Sequence, residues 1–125
     1  MENLEIEATK YTPEILMDID TGFISISGKS YPENTFDFYE SVMKWISEYF
    51  DGKAKKETII NLEIIYFNSS SSKLFFDFFD LIEEVGGDNK IEINWIYDEE
   101  NEFALEIGED FKEDFKNLNF NIIKK

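Results

Sequence analysis

The sequence predicts an α/β (α+β) fold: a mixed β-sheet with its helices on one face and the element order β-β-α-β-α-β-α-β. Three observations carry this reading. Residues 14–19 and 22–28 alternate apolar and polar side chains around Asp20-Thr21-Gly22, the pattern of two antiparallel strands joined by a tight turn. After them, β-branched and aromatic runs take turns with amphipathic runs of helical period. Finally, every strand run has a single apolar face: Ile15/Met17/Ile19, Ile24/Ile26, Ile60/Leu62/Ile64/Tyr66, Ile91/Ile93/Trp95/Tyr97 and Phe120/Ile122. The opposite faces carry Ser25, Ser27, Asn61, Glu63, Glu92, Asn94 and Asn121, a mixture that water tolerates, so the helices are expected on one side and the other side largely open.

The elements follow in order. Past the hairpin, Ser30-Tyr31-Pro32-Glu33 places a hydroxyl three residues before a carboxylate with Pro in the first turn, a capping-box pattern that starts a helix. That helix is expected to run to about Phe50 and stop near Asp51-Gly52. Its apolar half holds Phe36, Phe38, Tyr39, Val42, Met43, Trp45, Ile46, Tyr49 and Phe50. Residues 58–67, TIINLEIIYF, read as a central strand. Residues 74–85 form the second helix, ended by Gly86-Gly87. Residues 91–97 are a strand, 99 to about 116 are helical with a break at Gly108, and 120–123 are a short final strand. The crossover rule makes the last three strands parallel, with the hairpin antiparallel to part of the sheet.

The 125 residues suffice for one domain spanning 1–125 with its own core. Twelve Lys and Arg stand against 28 Asp and Glu, and the net charge of −16 repels phosphate backbones and anionic headgroups, so neither nucleic acid nor a membrane is an expected partner. The absence of Cys and His removes thiol chemistry, thiolate metal sites and the commonest general base. The start MENLEIEATKYT lacks the basic and apolar stretches of a signal peptide, and a cytoplasmic location is the expectation. No cofactor and no metal is expected. The carboxylates Asp98, Glu99, Glu100 and Glu102 are the best candidates for holding Mg2+ or Ca2+, but they lack a calcium-loop spacing and have no nucleophile nearby, so no catalytic residue is assigned.

The stretch YFNSSSSK, residues 66–73, is the candidate site. Asn68 and the serines Ser69, Ser70 and Ser71 fall between a central strand and a helix, where backbone N–H groups lack partners. One reading makes a serine the N-cap and the others solvated turn residues. The other makes a serine a phosphate acceptor, stabilised by the helix N-terminus by about 0.3–1 kcal/mol. Lys73 is the only cation within the motif. On the same helix Phe76 projects outside the apolar arc, either as part of a docking face or covered by a neighbouring loop.

The stretches Thr9-Lys10-Tyr11-Thr12-Pro13-Glu14, Gly28-Lys29-Ser30-Tyr31-Pro32-Glu33-Asn34, Tyr66-Phe67-Asn68-Ser69-Ser70-Ser71, Trp95-Ile96-Tyr97-Asp98 and Gly108-Glu109-Asp110-Phe111 together resemble the SiaC family of bacterial regulatory phosphoproteins, over nearly the whole chain. The resemblance implies a STAS-like (anti-sigma-factor-antagonist-like) variant of the fold and a phosphorylation switch. A SiaB-like protein kinase would modify the hydroxyl directly after the Asn, here Ser69, and a SiaA-like metal-dependent Ser/Thr phosphatase would remove the phosphate. The unmodified protein would bind and activate a SiaD-like diguanylate cyclase, raising cyclic di-GMP and favouring biofilm. The family's commoner acceptor is Thr, and the further serines here make Ser70 a rival. The expected partner surface comprises Asn68, Ser69, Ser70, Ser71, Lys73 and Phe76. The alternatives are an anti-sigma-factor antagonist that binds a kinase-like anti-sigma factor, and a small carboxylate- or metal-dependent enzyme.

Overall fold

The computed structural model describes residues 1–55 and 57–125. The elements are β1 (Leu4–Ile6), β2 (Glu14–Asp18), β3 (Phe23–Ser30), α1 (Thr35–Phe50), β4 (Glu57–Phe67), α2 (Ser69–Gly86), β5 (Lys90–Tyr97), α3 (Glu102–Asp114) and β6 (Asn119–Lys124). The expected order is present, preceded by one additional strand. β1 is only three residues long, too short for an alternation to be visible. Contacts from distant residues hold it: Ile19 N–H donates to Asn3 Oδ1 at 2.8 Å, and Trp45 Nε1 donates to the Glu2 carbonyl at 2.9 Å.

The strands lie in the sheet in chain order, β1-β2-β3-β4-β5-β6. β1, β2 and β3 pair antiparallel, and β3 to β6 pair parallel, so each of the three helices is the crossover of a βαβ unit. Because the order never reverses, crossovers of one hand place every helix on the same face. Ile15, Ile24, Ile60, Leu62, Ile93 and Trp95 point to that face. They are fully buried beneath Tyr39, Ile46, Tyr49, Phe75, Phe78 and Phe79. Each such side chain contributes roughly 1.5–3 kcal/mol on leaving water. On the open face, Ser25, Asn61, Asn94 and Asn121 stand in register across β3 to β6. Asn94 Nδ2 donates to Asn61 Oδ1 at 2.9 Å and Asn121 Nδ2 to Asn94 Oδ1 at 3.3 Å, so amides satisfy one another where strand neighbours crowd them.

Four expectations are corrected. First, α1 starts at Thr35 and its cap is Asn34, whose side chain accepts from Asp37 N–H at 3.1 Å. Ser30 instead ends β3, fully buried. Second, Phe36 is 71% exposed and is not part of the apolar face of α1, because the helix begins only one residue before it. Third, Tyr66 leaves the apolar face of β4. Ile64 pairs with Gly28 and Tyr66 with Lys29, so Ile65 is an extra, bulged residue. Ile65 and Tyr66 are therefore both exposed, and Phe67 turns inward. Fourth, α3 continues unbroken through Gly108. A Cβ at Gly108 would meet Trp95 Cδ1 at 2.4 Å, so the glycine is there to let the helix lie against the indole.

Candidate functional site

The site is the junction of β4 and α2, at the C-terminal end of the parallel strands. Asn68 keeps an extended backbone (φ −88°, ψ 176°), and its Oδ1 accepts from Ser71 N–H at 2.9 Å. Asn68 is therefore the cap, and the serines form the first helical turn instead of a solvated loop. This fixes their directions. Ser69 and Ser70 are exposed, Ser72 is half-buried and Ser71 is fully buried. Ser71 is thereby removed from the expected partner surface.

The buried Ser71 hydroxyl belongs to a relay the sequence reading missed. Its Oγ lies 2.8 Å from Ser30 Oγ, which lies 2.6 Å from Tyr39 OH. Three elements, β3, α1 and α2, are thus tied together under the serine turn. Burial pushes the Tyr39 phenol well above its ordinary value, with the Ser30 hydrogen bond pulling partly back, and the ring stays a neutral hydrogen-bonding group.

Ser69 and Ser70 face different grooves. Ser69 lines one of about 510 Å³ with Tyr66, Ser72, Phe103 and Ile107, whereas Ser70 lines one of about 500 Å³ with Asn34, Phe36, Lys73 and Asp77. The first turn of α2 holds no carboxylate, whereas those of α1 and α3 hold Asp37 and Glu102. The positive end of the α2 dipole is thus unneutralised by its own side chains. Lys73 is exposed and paired with Asp77 at 3.0 Å. Phe76 is 42% exposed and rests one side on Phe115, with ring centroids 4.9 Å apart, so it is covered in part by the end of α3. In the acidic stretch Asp98 Oδ1 accepts from Glu100 N–H at 2.9 Å, a turn-forming contact. Among the described residues no three carboxylates converge as metal ligands.

Fold and junction together define a small mixed-sheet α/β domain that presents a hydroxyl-lined helix start at its parallel-strand ends. Residues 6–125 match the model of the SiaC family regulatory phosphoprotein, and the chain belongs to that family. An uncharacterized protein of Pseudomonas aeruginosa strain UCBPP-PA14 is 37% identical over 116 residues, spanning 91% of this chain and 90% of the relative. SiaC of Pseudomonas aeruginosa superposes with a TM-score of 0.85 at 31% identity, over 100% of this chain and 98% of that one. A crystal structure of the diguanylate cyclase SiaD in complex with its activator SiaC, also from Pseudomonas aeruginosa, matches with a TM-score of 0.84 at 33% identity, over 97% of each chain.

The stretches that carried the resemblance have structural roles here. Ser30 anchors the hydroxyl relay, Asn34 and Asn68 cap α1 and α2, and Gly108 seats α3 on Trp95. The caps had a readable signal in the Asn that stands three residues before Asp37 and before Ser71; the relay had none, being assembled from positions 30, 39 and 71.

Proposed function

We propose that this chain is a non-enzymatic bacterial signalling phosphoprotein, acting as one regulatory domain over residues 1–125, switched by phosphorylation of Ser69. In its unmodified form it binds and regulates a diguanylate cyclase, and through it cyclic di-GMP and biofilm formation. A protein kinase and a metal-dependent phosphatase act on it in turn, in the cytoplasm; no helix among the described residues is long and apolar enough to cross a membrane. The observation that carries the reading is the exposed Ser69 directly after its cap, in a first turn free of carboxylates. Family membership and the likeness to SiaC in its complex with SiaD support the partner class.

A phosphate at Ser69 gains about 0.3–1 kcal/mol from the helix N-terminus. It also adds about −1.5 to −2 charge beside a groove with apolar walls. Desolvating that charge costs several kcal/mol, so modification opposes any contact that closes the groove. The test is fragment-ion mapping of the phosphate on protein purified from its own cells, with cyclase affinity measured for Ser69→Asp. Phosphate on Ser69 and a lost affinity in the mimic are expected. Phosphate confined to another residue, or a mimic that binds as tightly as the wild type, refutes the assignment.

A further inference from the structure

A row of aromatic side chains crosses the same end of the sheet. Tyr11 and Tyr31 meet edge to face with centroids 5.3 Å apart, Tyr31 and Tyr66 likewise at 5.4 Å, and Tyr66 reaches Phe103 at 6.4 Å. Tyr11, Tyr66 and Phe103 are 52%, 50% and 44% exposed. Exposed aromatics scattered singly need no explanation, but a connected row of them marks an interaction surface.

The row is anchored to the fold. Tyr31 N–H donates to the Tyr11 carbonyl at 2.8 Å. The β4 bulge turns Tyr66 outward, and Asn101 Nδ2, at the cap of α3, donates to the bulged Ile65 carbonyl at 2.9 Å. Phe103 leans on buried Phe67 with centroids 5.1 Å apart. These contacts fix the backbone that presents the rings, which lowers the ordering cost of binding.

The rim is acidic. Glu33 lines the groove of Tyr11 and Tyr31, and exposed Glu100, Glu102 and Glu106 lie near Phe103 in the chain. Lys10 Nζ already sits 5.9 Å from the Tyr11 ring centroid, so a cation over this row has a precedent within the chain.

We propose that Tyr11, Tyr31, Tyr66 and Phe103 form the docking surface for a basic segment of the partner. Its aliphatic side chain enters the groove between Tyr66, Phe103 and Ile107, and its Arg or Lys side chains face Glu33 and the tyrosine rings. This rests on the switch reading, because Ser69 lines that groove. Magnitudes decide the sign of the switch even for a basic partner. A solvent-exposed ion pair contributes little, because water and salt screen it. Burying a phosphate under the aliphatic anchor strips its water and costs far more than such a pair returns. Phosphorylation therefore releases the segment.

The test is calorimetric titration of the full chain with the diguanylate cyclase encoded in the same genome. Tyr66→Ala and Phe103→Ala each raise Kd about tenfold or more. Wild-type affinity falls with added salt, and Leu16→Ala on the open face leaves Kd unchanged. Thermal melts check folding, and Tyr11→Ala, in an exposed loop, serves if Phe103→Ala unfolds. Aromatic variants that bind like the wild type while Ser69→Asp loses affinity overturn the docking surface and leave the switch standing. Salt-independent affinity overturns the basic segment. A wild type that does not bind the cyclase removes both readings.

Discussion

Replacing Ser30 by Ala tests the relay beneath the serine turn. Ser30 Oγ is the shared partner of Tyr39 OH at 2.6 Å and of Ser71 Oγ at 2.8 Å, and all three residues are at most 1% exposed. Tyr39→Phe or Ser71→Ala removes one bond and leaves the other pair intact, a loss of about 1 kcal/mol. Ser30→Ala removes both bonds and strands two buried hydroxyls, each at about 1–3 kcal/mol, for a total of roughly 2–6 kcal/mol. Replacing all three by Ala, Phe and Ala leaves nothing stranded, and the loss falls below that of Ser30→Ala alone. Urea unfolding of the four variants at neutral pH measures the series, and a native stability of about 5–15 kcal/mol keeps it within range. A Ser30→Ala loss below about 1 kcal/mol, or a triple variant at least as destabilised as Ser30→Ala, refutes the shared-hub account.

Two further outcomes follow from the packing and the titration. Gly108→Ala gains up to about 1 kcal/mol of helix propensity but drives a Cβ to 2.4 Å from Trp95 Cδ1, in a ring already bound through Nε1 to the Ala104 carbonyl at 2.9 Å. A net loss of about 1–3 kcal/mol with altered Trp fluorescence is expected, and a more stable variant would show the contact is slack. The raised Tyr39 pKa means the folded state holds this proton more tightly than the unfolded chain does. Its contribution is fully present below the ordinary value of 10.0 and is lost as pH rises above it. Urea midpoints measured from about pH 8 to about pH 11 therefore fall less steeply in Tyr39→Phe than in the wild type; equal slopes contradict the assignment.

The sheet and helices were legible because burial on one face writes a period of two into strands and 3.6 into helices. The errors lie where a single residue changes the phase. Ile65 shifts β4 by one position, so Tyr66, in step with Ile64 by alternation, faces water instead. The capping pattern at Ser30 was satisfied by residue types but not by geometry, since the chain stays in the sheet through that residue and Asn34 caps instead. At the site, the serine run at the start of a helix is a local feature and could be read; the hydroxyl relay and the aromatic row could not. Their members come from separate elements and meet only once the strands are in register.

The order of the strands bears on how the chain assembles as it is synthesised. Each strand from β2 onward pairs with the one made before it, so the sheet grows by addition at one edge, from the N-terminal side to the other. No strand has to be threaded between two already paired. The serine turn is laid down midway, when the strand and helix that supply Ser30 and Tyr39 have already emerged, and the partners Ser71 requires are waiting for it.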